Sequence, residues 1–109
     1  REAGGLIREG VTAIFCLNDD MAAGVYDYLY EHDMKAGEDI SVVGYDNMEI
    51  SGYLKPSLTT NEIPFSQIGT KSAELMIKLL NEEYEIGPGS EILKIPCQII
   101  ERDSVKKIG

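Results

Sequence analysis

Two short segments place side chains suited to polar recognition directly after apolar runs. Asn18-Asp19-Asp20 follows Val11–Leu17, and Asp46-Asn47 follows Ile40–Tyr45. An ionised carboxylate only accepts hydrogen bonds, whereas a carboxamide both accepts and donates. Held on neighbouring strand ends, Asn18 and Asp46 would be pre-organised to bond the adjacent hydroxyls of a small polyol. Asp19, Asp20 and Asp46 also have a second chemistry open to them: an acidic pocket holding Mg²⁺ beside a phosphorylatable carboxylate. That chemistry needs a hydroxyl and a lysine on later strand ends in the right order, and the chain does not offer them cleanly. A third role needs no ligand, because Asn18, Asp19 and Asp20 supply N-cap oxygens and first-turn negative charge to a following helix.

Other catalytic arrangements are poorly served. His32 is the only histidine and lies between Glu31 and Asp33 near a helix end, where the dipole favours a cation. A single histidine on the far end of that helix from the aspartates builds no Ser/His/Asp or Cys/His arrangement. No Gly-x-Gly-x-x-Gly follows a strand and no phosphate loop is present. The six tyrosines are not interleaved with basic residues, so base stacking is not indicated. The expectation is binding without turnover, with no catalytic residue, metal or cofactor.

The elements that must position these residues follow from periodicity. Glu2 to Arg8 reads as the tail of a helix ending at Gly10. Val11–Leu17 is a nearly continuous apolar run, as expected of a strand buried on both faces. From Met21 to His32, apolar Met21, Val25, Tyr28 and Leu29 recur at helical spacing. Ile40–Tyr45 is a second β-branched run. Strand, helix and strand make one βαβ unit with parallel strands and a right-handed crossover. The C-terminal ends of such strands are where open α/β sheets bind ligands. Asn18, Asp19 and Asp46 therefore share a rim.

After an irregular stretch to Pro56, Leu58–Ile63 is expected to be extended. Pro64 to Ser66 opens a further helix with Ile68, Ser72, Leu75, Met76, Leu79 and Leu80 on its inward stripe. Ile86-Gly87-Pro88-Gly89 breaks it. Glu91–Ile95 and Cys97–Ile100 read as a final extended pair, and Arg102 to Gly109 as a polar tail of mixed charge.

Composition sets the outer bounds. The 109 residues carry 10 Lys and Arg against 19 Asp and Glu, a formal charge of −9. A phosphate backbone would repel that surface, so direct nucleic-acid contact by these residues is not expected. No apolar run approaches the roughly 18 to 20 residues of a membrane helix. Cys16 and Cys97 sit in apolar strand-like runs without metal-ligand spacing and read as reduced core thiols. Arg1 is not an initiator, and no basic-then-apolar leader follows it, so the chain reads as a piece of a longer protein.

Four motifs, in order, resemble one family. Ala13-Ile-Phe-Cys-Leu-Asn-Asp-Asp-Met-Ala-Ala-Gly24 is similar to the strand-Asn-Asp-x-Met-Ala-x-Gly signature of the lactose/galactose repressor (LacI/GalR) regulators. Glu38-Asp-Ile-Ser-Val-Val-Gly-Tyr-Asp-Asn47 resembles their Pro-x-Asp-Ile-Ser-Val-Val-Gly-Phe/Tyr-Asp block, and Pro56-Ser-Leu-Thr-Thr60 their Pro-x-Leu-Thr-Thr. Ile68-Gly69 followed by Ala73 is similar to the next helix. Departures at Ala36, where proline is common, and at Lys55 and Ser57 around Pro56 do not touch the inferred site.

The resemblance implies an α/β, parallel-sheet, periplasmic-binding-protein-like fold (a Rossmann-like sandwich), present as the C-terminal fragment of a two-lobed domain. Residues 1–58 would belong to the C-terminal lobe, 59–64 to an inter-lobe crossing, 65–95 to the N-terminal lobe and 96–109 to a return strand and tail. It implies effector contacts at Asn18 and Asp46, a supporting and helix-capping Asp19, and a dimer seam at Met21, Ala23, Tyr26, Tyr53 and Leu54. For Tyr53 and Leu54, ordinary core packing is the competing role. The implied protein is a cytoplasmic homodimer that senses a small molecule, a sugar or sugar phosphate, and meets operator DNA only through an N-terminal helix-turn-helix outside this chain. Purine-responsive members use the same aspartate, so effector identity stays open. The rival within the fold is a periplasmic sugar-binding protein of a transport system; the rival from another class is a receiver-type or nucleotide-binding enzyme.

Overall fold

A computed structural model describes residues 2–83, 87 and 93–108. In chain order the elements are α1 (Glu2–Arg8), β1 (Ala13–Phe15), α2 (Asp19–Glu31), β2 (Ser41–Val43), α3 (Glu49–Tyr53), β3 (Thr60–Glu62), α4 (Phe65–Leu80) and β4 (Gln98–Ile100). They divide into two compact units, one of residues 1–62 with 99–109 and one of residues 63–98.

The first unit is built on the expected βαβ crossover. β1 and β2 pair in parallel with Ala13 opposite Ser41, Ile14 opposite Val42 and Phe15 opposite Val43. The ladder runs on through Cys16 N to Val43 O at 2.8 Å and Asp19 N to Tyr45 O at 3.1 Å. Along the other edge of β2, Gly44 N donates to Thr59 O and Asp46 N to Asn61 O, both at 2.9 Å, in parallel bridges of Val43 with Thr59 and Asp46 with Glu62. β3 itself pairs with β4. Below that edge the tail closes on β2, with Val42 N donating to Ser104 O at 2.9 Å and the Ser104 hydroxyl bridging Thr59 N and Val42 O.

The core of this unit lies between α2 and the strands: Cys16, Ala22, Val25, Tyr26, Leu29, Ala36, Ile40, Val42 and Leu58. Spacing of four along α2 brings Ala22, Val25, Tyr26 and Leu29 to one face. The expectation that Val11–Leu17 is buried on both faces is corrected. Side chains alternate along a strand, and only Cys16 is buried, whereas Phe15 and Leu17 are 64% and 77% exposed. Among the described residues, nothing covers the outer face of β1. Cys97 is likewise corrected: Cys16 is a core thiol, whose desolvation and the nearby Asp19 charge push its pKa above 9.0, but Cys97 is exposed.

The stretch expected to be irregular contains α3. Five residues are too short to hold a helix in isolation. Tertiary bonds hold it, among them Leu58 N to Ser51 O at 2.9 Å. In the second unit, α4 shows the expected amphipathic spacing, with Leu75 and Leu79 half-buried. Among the described residues none of α4 is fully buried, and Ile68, Met76 and Leu80 remain exposed. The breaker cluster at residues 86–89 lies outside the described residues except for Gly87, as do residues 91 and 92 of the expected extended pair.

Tyr26 makes the core of the first unit sensitive to alkali. Its hydroxyl donates to Pro56 O at 2.7 Å. Burial pushes its pKa from 10.0 up to about 12, with the nearby Ser104 hydroxyl lowering it and the Asp103 charge raising it further. Below pH 10 folded and unfolded chains both keep this proton. Between about 10 and 12 the unfolded chain releases it while the folded chain does not, so stability falls as pH rises. A shift of this size corresponds to about 2–3 kcal/mol. Urea midpoints measured from pH 9 to 12 are expected to decline in the wild type and to decline less steeply in Tyr26→Phe, where only the Cys16 contribution of these two remains.

Candidate functional site

Asn18 ends the β1 ladder with extended backbone (φ −156°, ψ 174°), and its Oδ1 accepts from Met21 N at 2.8 Å. It is therefore the N-cap of α2. The cap oxygen comes from Asn18 and not from Asp19, whose side chain turns inward. The Asn18 carboxamide nitrogen meets no partner among the described residues, and the side chain is half-buried at the rim.

Asp19 is fully buried. Its Oδ2 accepts from Met48 N at 2.6 Å and its Oδ1 from the Thr60 hydroxyl at 2.7 Å. A buried carboxylate is tolerable only with such partners. The result ties three segments together: the start of α2, the loop after β2, and the start of β3. Gly44 is required beside it, because a Cβ there would run into Asp19 Oδ1 and would approach Leu58 Cδ2 to 2.8 Å.

The loop after β2 turns through two left-handed residues, Asp46 at φ 109° and Asn47 at φ 52°. Asparagine tolerates this region; for aspartate at 109° the surrounding structure must hold the conformation. Asp46 N is bonded to Asn61 O, Asn47 N reaches the Thr60 hydroxyl at 3.3 Å, and Met48 N is held by Asp19. The half-buried Asp46 carboxylate itself has no hydrogen-bond partner among the described residues. The Asp19 N to Tyr45 O bond lies between Asn18 and Asp46 in the ladder, so the two predicted contact residues stand on adjoining strand ends.

The acidic-pocket chemistry is not assembled. Both Asp19 oxygens are engaged, Asp20 is exposed, and among the described residues no group of three His, Cys, Asp or Glu side chains comes together to hold a metal ion. His32 is at the C-cap of α2, exposed, stacked on Tyr28 with ring centroids 4.0 Å apart and bonded through Nδ1 to Tyr28 O at 2.8 Å.

Of the expected seam residues, Met21 and Tyr53 are exposed and Ala23 half-buried, while Leu54 packs partly against the core. Tyr26 packs into the core with its hydroxyl on Pro56 O, and its remaining surface borders a groove. A groove of this unit, about 590 Å³, is bordered by Tyr26, Leu29, Met34, Ala36 and Pro56. It lies toward the chain that enters β2, away from Asn18 and Asp46.

One residue at the rim was absent from the sequence expectations. Arg102 Nη1 donates to the Ser51 hydroxyl at 2.8 Å and to Leu58 O at 2.9 Å, and Nη2 donates to Asn47 Oδ1 at 2.9 Å. The only signal available was its place in Arg102-Asp103-Ser104, a polar cluster directly after an apolar strand-like run.

Comparison with known proteins agrees with this geometry. The family model of the periplasmic binding protein-like domain matches residues 2–105. The HTH-type transcriptional repressor PurR of Vibrio campbellii (strain ATCC BAA-1116) is 36% identical over 99 residues, covering 90% of this chain and 28% of that protein. The chain thus spans less than a third of the length of that curated relative. A solved LacI family transcriptional regulator from Enterococcus faecalis V583, with bound ribose, matches at a TM-score of 0.83 and 33% identity over 97% of this chain and 39% of that one. The lac repressor dimer bound to operator and the anti-inducer ONPF matches at 0.81 and 30% identity, over 94% and 35%. The chain belongs to the periplasmic binding protein-like domain family, in the form found in LacI/GalR-type regulators.

Proposed function

We propose that this chain is the effector-binding and dimerising portion of a cytoplasmic bacterial transcription regulator, and that it binds its ligand without turnover. The observation that carries the reading is the Asp46 carboxylate: half-buried, without a hydrogen-bond partner among the described residues, and presented by a left-handed corner on the strand end adjoining Asn18. An acceptor beside a carboxamide suits the vicinal hydroxyls of a sugar or sugar phosphate. Ribose bound to the Enterococcus faecalis relative supports that ligand class. Asp19 supports the site from behind.

The lobe assignment belongs to the same proposal: residues 1–58 in the C-terminal lobe, 59–64 crossing, 65–95 in the N-terminal lobe and 96–109 returning. Met21, Ala23, Tyr26, Tyr53 and Leu54 would form the seam between protomers. DNA would be contacted by a separate N-terminal helix-turn-helix, in keeping with the charge of −9 on these residues. Effector would act by population shift, through a difference in its affinity for two lobe orientations.

The test uses the intact regulator. Pentoses, hexoses and their phosphates are screened by thermal shift, and operator binding is measured with and without the best ligand. Asp46→Ala is expected to weaken that ligand roughly 10- to 100-fold, the worth of a hydrogen bond to a charged group, while operator binding stays in place. Lost operator binding with an unchanged ligand response would refute the role given to Asp46.

A further inference from the structure

We infer that Arg102 is a positioning residue for the Asp46 corner. The inference rests on the reading of Asp46 as an effector contact and extends it to the machinery that holds Asp46 in place.

The corner is intrinsically unfavourable, with consecutive left-handed residues of which neither is glycine. Such a conformation persists only where its surroundings over-determine it. Asp19 fixes the far side through Met48 N. Arg102 fixes the near side: one guanidinium nitrogen holds Asn47 Oδ1, and the other holds Ser51 Oγ and Leu58 O. Ser51 in turn donates to Met48 O at 2.6 Å, capping the turn into α3. The backbone of Arg102 is itself anchored by donation to the Thr59 hydroxyl at 2.9 Å.

A planar guanidinium spans these three acceptors in a way a point-charge ammonium does not. The acceptors belong to the corner, to α3 and to the segment leading into β3. Arg102 touches no proposed ligand position. It acts through Asn47.

The experiment is amide hydrogen exchange by NMR on the intact protein, comparing wild type, Arg102→Met and Arg102→Lys. Arg102→Met is expected to raise exchange of the Asp46 and Asn47 amides at least tenfold, while the Cys16 and Ser41 amides of the β1–β2 ladder hold their rates. Arg102→Lys should recover part of the protection. Unchanged rates at Asp46 and Asn47, or an equal rise across the ladder, would overturn the inference. If Arg102→Met does not fold, Arg102→Gln, whose single amide group cannot span the three acceptors, must produce the same local rise; its absence overturns the inference equally.

A second arm titrates D-ribose into wild type, Asp46→Ala and Arg102→Met. Binding lost in Asp46→Ala but untouched in Arg102→Met, with exchange also unchanged, sinks the Arg102 role and leaves the Asp46 reading standing. Binding unaltered in Asp46→Ala, with exchange raised in Arg102→Met, sinks the effector role of Asp46 and leaves the positioning of the corner.

Discussion

Asp19→Ala is expected to lower the free energy of unfolding by about 3–5 kcal/mol, the scale reached when a buried charged hydrogen-bonding group is removed and its partners are left behind. Two donors lose their acceptor, Met48 N–H and the Thr60 hydroxyl. The Thr60 hydroxyl is fully buried and has no water to turn to, whereas Met48 is an exposed residue. Asp19→Asn keeps one carbonyl oxygen and turns an amide group toward the other donor. The Thr60 hydroxyl can rotate to accept from that group, whereas Met48 N–H cannot reverse its role. Asn is therefore expected to cost less, about 1–2 kcal/mol. Asp20→Ala serves as the comparison, since Asp20 is exposed and one residue away; its effect should stay within about 0.5 kcal/mol. Urea unfolding of the three variants decides the matter. Similar small losses for Asp19→Ala and Asp20→Ala would mean that the carboxylate network does not hold the rim.

Gly44→Ala is expected to cost about 3 kcal/mol, near the upper end for overpacking a filled interior. The added methyl would run into Asp19 Oδ1 and lie 2.8 Å from Leu58 Cδ2. Neither neighbour yields freely: Asp19 is tied by two bonds, and Leu58 is fully buried. Displacing Asp19 breaks the bonds whose loss the first variant measures. The two substitutions should therefore be less than additive, by about 1 kcal/mol or more, as contacting residues generally are. Gly69→Ala gives the control. Nothing lies within 4 Å of a Cβ at that helical position, so alanine should be neutral or stabilising by about 0.5–1 kcal/mol. Equal unfolding midpoints for Gly44→Ala and Gly69→Ala would show that the space beside Asp19 is not filled.

Much of the scaffold is legible in residue spacing alone. Helical spacing from Met21 to His32 anticipated α2, whose observed bounds are Asp19–Glu31, and the polar run before it anticipated the N-cap that Asn18 supplies. The strand runs anticipated β1 and β2, although the ladder claimed only three residues of each. What spacing could not supply was the number of covered faces. An apolar run is compatible with burial on one face or on both, and β1 has its outer face open among the described residues. The same ambiguity misplaced Cys97 in a core, because an apolar side chain in a strand-like run suits either environment.

Local order in this chain was written into residue spacing. The helix and strand periods and the cap before α2 each depend on a few neighbouring residues and on backbone geometry that any chain shares. The rim was not local. Asp19 finds its partners 29 and 41 positions away, and Arg102 reaches Asn47 across 55. Those pairings exist because the parallel crossover brings the ends of β1 and β2 side by side and the tail then returns along β2. No spacing rule operates over such separations. A carboxylate that caps a helix and one that is buried beneath a binding loop look alike in sequence, and packing alone distinguished Asp19 from Asp20.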